Sequence, residues 1–459
     1  MIALSLREIA SITGGSVVQG NAATVFDTVA TDTRKMRPKA LFFALIGERH
    51  DGHSFLPQAV ANGAGGLVVS SWEDLPPGVP TVMVQDTLKA LQGLASYNRA
   101  KSKAILVGVT GSTGKTTTKD LIASVLSVRL RTLKSEGNYN NEIGLPLTLL
   151  ELDETHEAAV VEMGMRGPGQ ISALCELARP KGAVITNINE THLELLGTIS
   201  NIAAAKGEIL EHIPEDGFAL LNIDSPFIQR EAARCRGKVV YYGIEAPVGI
   251  SGSKIRPEGA GSFFTATIGG EHQDFYLPAP GRHNVMNALA AIGVAWELGL
   301  TREEIYQGLS EATFTGMRLE IIDGGGYKII NDAYNASPAS TKAALEVLRE
   351  LAAGHRSIAV LGDMLELGVR ALEGHCEVGE TAAKQGVHYI IAVGELSEKI
   401  VEGAVKAGFP PEKALHYKDC DSAVKTLESL LQEGDVVLVK GSRGMRMEYI
   451  VQHLLPHQY

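Results

Sequence analysis

Ala104-Ile-Leu-Val-Gly-Val-Thr-Gly-Ser-Thr-Gly-Lys-Thr-Thr117 is a short apolar run that breaks into a glycine-rich turn. The run Ala104–Val109 suits a buried strand. After the turn, Leu121, Ile122, Val125 and Leu126 share one face of a helix expected over Lys115–Leu130. Strand, glycine loop and helix in that order make a phosphate-binding loop. Glycines let backbone N–H groups converge on phosphate oxygens, and the helix N-terminus adds a favourable dipole. Thr110, Gly111, Ser112, Thr113, Gly114, Lys115, Thr116 and Thr117 are therefore the expected nucleotide contacts. Lys115 reaches the terminal phosphates in this reading, and the Thr116 hydroxyl ligates Mg²⁺. The strict motif puts a glycine six residues before the lysine. Val109 stands there, with glycines at 108 and 111, so the loop is a TGxxGKT variant.

Around this centre the pattern repeats. Ala158–Val161, Ala183–Thr186 and Phe218–Ile223 are further buried-strand candidates. Short apolar strands alternating with helices imply a mainly parallel sheet covered on both faces. From about Thr315 a second alternation begins: Lys328–Ile330, Pro338–Leu351, Ser357–Leu361, Leu372–Gln385, Tyr389–Val393 and Asp435–Val439. That is a doubly wound, Rossmann-like pattern, but without the GxGxxG turn of dinucleotide binders. Before residue 102, short runs such as Ala40–Leu45 and Gly66–Val69 mix with Gly/Pro turns, and Leu88–Lys101 is helical. The expected fold is α/β in three domains: a small α+β N-terminal domain (1–102), a central ATP-binding phosphate-loop domain (103–314) and a C-terminal Rossmann-like domain (315–459).

The formal net charge of −11 argues against nucleic acid as a partner. The four cysteines are widely spaced and form no CxxC, which fits a reducing compartment. No stretch reaches the ~20 apolar residues that span a bilayer, and the N-terminus does not read as a signal peptide. A cytoplasmic location is expected.

Several residues suit chemistry beside the loop. Glu162 ends an apolar run, at the mouth of an α/β site, where it can hold Mg²⁺ or simply be a solvated strand end. His192 follows Ala183–Thr186 and reads as a loop histidine or a ligand. Lys206 lies four residues after Ile202, three before Ile209 and four before Leu210, on the apolar face of its helix. A buried lysine loses basicity and can react with CO₂ to give a carbamate, whereas a snorkelling lysine keeps its head in water. Asn284 and Asn287 share a helix face and suit a base edge, with capping the alternative for Asn284. Asp332 suits ribose hydroxyls. Lys440, Ser442 and Arg443 suit an anion, or form a solvated basic loop.

These segments, in this order, resemble the Mur ligases, which build the peptide of the peptidoglycan precursor. The resemblance rests on Asp32-Thr-Arg34, Ala40–Phe55, Thr110–Thr117, Gly137–Gly144, Ala205–Ile209, Gly281–Asn284, Asn331–Ala336, Gly362–Gly368 and Lys440–Arg443. The last three point within the family to addition of D-alanyl-D-alanine (D-Ala-D-Ala) to UDP-N-acetylmuramoyl-tripeptide (UDP-MurNAc-tripeptide). The DNPR signature of the diaminopimelate-adding branch is missing.

The resemblance implies ATP and two Mg²⁺ ions, with Thr116, Glu162, His192 and a carbamylated Lys206 on the metals. It also implies Arg318 on the γ-phosphate, Asn284 and Asn287 at adenine, and Asp332 at ribose. Thr33, Arg34, Asp51 and His53 would lie near the uridine diphosphate. Asn138 and Asn141, with Lys440, Ser442 and Arg443, would meet substrate. A monomer working through an acyl phosphate is expected. A phosphotransferase without an amine acceptor, or a nucleotide-binding scaffold without catalysis, are the rival readings.

Overall fold

The computed structural model describes residues 1–48, 50–191 and 193–455. Three large sheets follow one another along the chain, beside a two-stranded pairing of Leu4–Ser5 with Val25–Phe26. The first has five strands in the order Ser16–Gln19, Thr81–Met83, Gly66–Val69, Leu41–Phe43, Val29–Ala30. Its last four strands run parallel, and only Ser16–Gln19 is antiparallel to its neighbour. Buried side chains cover both faces, as a mainly parallel sheet requires.

The central sheet has nine strands. Thr132–Lys134, Ala158–Glu162, Ile105–Thr110, Gly182–Ile185, Phe218–Asn222 and Lys238–Gly243 form a parallel block. An antiparallel meander of Ile250–Glu258, Gly261–Ile268 and Glu271–Leu277 extends it. From Ile105–Thr110 the chain goes first to one side, through Thr132–Lys134 and Ala158–Glu162, and then to the other, at Gly182–Ile185. Such a reversal of strand order opens a crevice at the carboxyl ends of the strands, where ligands bind in open α/β sheets. The phosphate loop stands there.

The third sheet has the order Glu320–Asp323, Lys328–Asp332, Val436–Lys440, Ser357–Gly362, Tyr389–Val393, Ala414–Tyr417. All pairs are parallel except the first. The last strand in the sequence, Val436–Lys440, lies between Lys328–Asp332 and Ser357–Gly362. Asp332 and Lys440 therefore end side by side in register.

Helix Thr87–Lys101 ties the first sheet to the second. Asp86 caps it through the N–H groups of Leu88 and Lys89. Its Leu91 and Leu94 lie in one core with Leu145 and Leu149 of helix Gly144–Leu150. Asn98 donates to the Leu149 and Leu152 carbonyls, at 2.8 and 2.9 Å. Between the second and third sheets, Arg370 reaches Glu190 at 3.4 Å, and Gly281 lies so close to Val347 that a β-carbon would come within 2.7 Å. Among the described residues no helix is long and apolar enough to cross a membrane.

Candidate active site

A cavity of about 1170 Å³ opens where the three sheets meet. The phosphate loop forms part of its wall, together with Asn140, Glu162, Lys206, Asn284, Asn287, Arg318, Asp332 and Lys440.

Two glycines of the loop take backbone conformations that side chains rarely adopt: φ is +148° at Gly111 and +78° at Gly114. Both are also tightly opposed. A β-carbon at 111 would overlap the Thr186 hydroxyl, and one at 114 would lie 2.6 Å from Asn287 Oδ1. Strand-end polar groups hold the loop in place. Thr186 Oγ1 donates to the Thr113 carbonyl at 2.6 Å, Thr113 N donates to Asn187 Oδ1 at 3.0 Å, and Ser112 Oγ donates to the Asn189 carbonyl at 3.0 Å. Thr110 Oγ1 is turned to the Met163 carbonyl.

Glu162 is the anionic centre of the site. It is 3% exposed. Its carboxylate accepts from Thr116 Oγ1 at 2.5 Å and from Asn140 Nδ2 at 2.8 Å. Burial alone would raise its pKa. The nearby charges of Lys115 and Arg318, with those two hydrogen bonds, outweigh burial and hold the group below the usual carboxylate range.

Lys206 is 2% exposed, in helix Ile199–Glu211 between buried Ile202, Ala203, Ile209 and Leu210. Its Nζ donates to the Gly111 carbonyl at 3.0 Å, and Lys115 Nζ donates to the same oxygen at 2.9 Å. Snorkelling is excluded, because the head group is inside. Desolvation, then the charge of Lys115, push the Lys206 amine well below the ordinary lysine range, against a smaller opposing pull from Glu162.

Across the cavity, Asp332 accepts from Lys440 Nζ at 2.6 Å and from Leu319 N at 3.2 Å. Arg318 lies 4.1 Å above the Tyr334 ring, and its Nε is buried without a hydrogen-bond partner. Asn284 and Asn287 are buried and joined at 3.3 Å, with Asn284 Nδ2 donating to the Pro280 carbonyl. Asn284 is the third residue of helix Arg282–Glu297, whose cap is Gly281, so it does not cap that helix.

Not every expected residue is brought here. Thr33, Arg34, Asp51 and His53 stand in the first domain, away from the cavity wall. Asp51 caps the short turn Gly52–Phe55 and takes His53 Nδ1 at 2.6 Å, while Ser70 N donates to His53 Nε2 at 2.9 Å. Arg34 is paired with Asp32. Ser442 faces inward, accepting from Leu365 N at 2.9 Å, and Arg443 pairs with Glu448. Neither lines the cavity. Asn138 does, and so does Asn141, which is occupied in accepting from Gly144 N at 2.9 Å. His192 lies outside the described residues.

Sequence reasoning passed over Asn140, Tyr334 and His283. His283, in the cavity wall, has its pKa lowered to about 4, chiefly by desolvation, with Lys440 adding to the effect and Asp332 opposing it. The folded chain holds this ring neutral down to about pH 4, while an unfolded histidine takes a proton near 6.5. Between those limits the unfolded state binds more protons, so stability rises with pH and is lost as pH falls. About 3 kcal/mol is expected from this ring. His283→Gln should flatten that part of the urea-midpoint profile between pH 4 and 7.

The oxygen donors at Thr116 and Glu162, one carboxylate beside a phosphate loop, fit Mg²⁺, which binds through one or two carboxylates plus substrate phosphates. Among the described residues no three His, Cys, Asp or Glu side chains form a metal cluster of their own.

Known proteins share this arrangement. Residues 26–99 match the profile described as Mur ligase family, catalytic domain. Residues 109–295 match the Mur ligase middle domain, and 317–443 the Mur ligase, glutamate ligase domain. The chain is 41% identical over 461 residues to the UDP-N-acetylmuramoyl-tripeptide–D-alanyl-D-alanine ligase of Bacillus subtilis, covering 99% of each. A crystal structure of MurF from Acinetobacter baumannii superposes with a TM-score of 0.89 at 30% identity, covering 98% of both chains. MurF ligase from Thermotoga maritima, solved in complex with ADP, gives 0.81 at 28% identity, over 93% of this chain and 96% of that one. The loop, Glu162 and Lys206 all fall inside the matched middle segment, and with identity at this level along the whole alignment the chain belongs to the Mur ligase family.

Proposed function

We infer that this chain is the ATP-dependent ligase that adds D-Ala-D-Ala to UDP-MurNAc-tripeptide during peptidoglycan precursor synthesis. The observation that carries the reading is the cavity in which the phosphate loop shares a wall with Asp332 and Lys440 of the third sheet and with Arg318 just before it. It is supported by the shared name of the full-length relatives.

The tripeptide's terminal carboxylate attacks the γ-phosphorus of ATP. The bond to the β-phosphate oxygen breaks, and ADP leaves. The dipeptide amine then adds to the acyl carbon of the acyl phosphate. Loss of a proton and departure of inorganic phosphate leave the amide. Both reactants of the first step are anionic, so the Lys115 and Arg318 cations offset charge that crowds as they meet. Thr116 and Glu162 would hold Mg²⁺, which supplies further neutralisation of phosphate charge.

Asn284 and Asn287, the latter against Gly114, are assigned to adenine, Asp332 to ribose, and Lys440, paired with Asp332, to substrate. Arg34, whose guanidinium is exposed, is assigned to the uridine diphosphate, with Thr33, Asp51 and His53 shaping the loops around it. Asn138, Asn141, Ser442 and Arg443 are assigned to the substrates more remotely, Ser442 through the loop at Leu365. The Lys206 amine, whose basicity burial lowers, would add to CO₂ in its neutral form and release a proton, giving a carbamate beside Gly111. A mass increase on the peptide containing Lys206, present with bicarbonate and lost on acid treatment, tests that modification. The domain limits 1–102, 103–314 and 315–459 are supported by the three large, separate sheets. A cytoplasmic monomer is the working assembly, tested by its sedimentation.

Phosphate release with ATP and UDP-MurNAc-tripeptide tests the whole reading. Release that requires D-Ala-D-Ala and matches amide formed is expected. Sustained release independent of any amine would mark a phosphotransferase or hydrolase instead.

A further inference from the structure

Asp120 is a buried carboxylate that the reaction above does not use. It lies on helix Lys115–Ser127, five residues beyond Lys115, and is 1% exposed. One oxygen, Oδ2, accepts from Thr315 N at 2.9 Å and from Thr315 Oγ1 at 2.8 Å. The other, Oδ1, accepts from Lys134 Nζ at 2.8 Å and faces Lys119 Nζ at 3.2 Å. Lys119 Nζ in turn donates to the Ser135 carbonyl at 2.7 Å, and Ser135 Oγ accepts from Glu162 N at 3.3 Å. The network therefore runs from the partner of Thr116 to the segment that joins the central and C-terminal sheets.

That segment carries Arg318. On its far side it is held to the third sheet, where Leu319 N donates to Asp332 and Tyr334 N donates to the Met317 carbonyl at 3.3 Å. Met317 and Leu319 flank Arg318 with φ of +62° and +52°. Neither is glycine. Two strained residues around one functional arginine persist only where both ends of the segment are fixed. On the central side the Thr315 bonds to Asp120 provide the anchor.

We propose that Asp120 is a positioning residue. By holding Thr315 to the helix that starts at Lys115, it sets the reach of Arg318 toward the phosphates. This rests on the assignment of Arg318 made above.

Thr315→Val removes one of the two bonds and keeps the backbone donor. Its kcat should fall roughly 5-fold, the worth of one buried hydrogen bond, with KM for the tripeptide and dipeptide substrates unchanged. Thr315→Ser, which restores the hydroxyl, should recover wild-type kcat. Asp120→Asn should lower kcat further. In an Arg318→Ala background, Thr315→Val should change nothing more. Full kcat in Arg318→Ala would overturn the arginine assignment. A crippled Arg318→Ala beside a normal Thr315→Val overturns the tether alone. So does an equal loss from Thr315→Val in both backgrounds, because that loss would not pass through Arg318.

Discussion

Methionine at position 206 is expected to make the protein more stable and almost inactive. The Lys206 head group is buried, makes one hydrogen bond, and shares its acceptor with a second ammonium at Lys115. Each feature disfavours a charged amine. Methionine has a similar length, fills an apolar helix face and needs no partner. The Gly111 carbonyl keeps its bond from Lys115. Folding costs this side chain the solvated charge it carries when unfolded, so an apolar replacement gains about 1–3 kcal/mol.

The sign follows from the lowered pKa. The unfolded lysine holds its proton up to about 10.5, while the folded one releases it well below that. Between the lowered folded value and about 10.5 the unfolded state therefore binds more protons, and wild-type stability rises with pH until about 10.5. The advantage of Lys206→Met should be greatest near neutrality and shrink toward pH 10. Urea midpoints at several pH values measure it. Turnover should drop by at least about 10²-fold, the cost of losing one charged or polar group at a phosphate-transfer centre. Active Lys206→Met would show that the lysine is tolerated inside the protein without serving the reaction.

The sequence carried much of this centre openly, for a physical reason. Ile105–Thr110 is apolar because it is covered on both faces, so the glycines and Lys115 after it stand out. The placement of Lys206 among isoleucines and leucines is likewise a simple periodicity. The meander over residues 250–277 left no such trace. Its first strand, Ile250–Glu258, is largely exposed and polar, and a bulge interrupts its pairing. Neither strict alternation nor an apolar run survives there.

Side-chain direction was the other loss. Four residues, Asn138 to Asn141, include three asparagines in an irregular segment where no period says which one points at the Glu162 carboxylate. Asn140 does so, at 2.8 Å from Glu162, while Asn141 serves a helix start. In the Lys440–Arg443 segment, Lys440 is the last strand residue and faces Asp332, but the chain then turns. Ser442 is drawn to Leu365 N and Arg443 to Glu448. A cluster of residue types suited to an anion does not reveal such a turn.

Lys115→Met should be the more damaging change for nucleotide use. In the structure the Lys115 ammonium is held by a carbonyl of its own loop at 2.9 Å, with Glu162 drawing it and Arg318 repelling it. Desolvation, the largest influence, lowers its pKa. An arriving phosphate replaces that weak neutral acceptor with a charged one, and the bond gained is about twice as strong. Its strength grows further as charge spreads over the transferring group, so the loss falls on kcat as well as on ATP binding. About 10³-fold in kcat/KM for ATP is expected. Lys115→Arg should recover little, because a planar guanidinium cannot occupy the single point beneath the Gly111 carbonyl. The same substitution must also reach Lys206. Lys115 is one of the charges that lower the Lys206 pKa, so without it the amine becomes more basic and less of it is free to take up CO₂. Peptide mass analysis of Lys115→Met should therefore find less carbamate on Lys206 than in the wild type. Equal occupancy in both proteins would mean that the two amines act independently, despite sharing one acceptor.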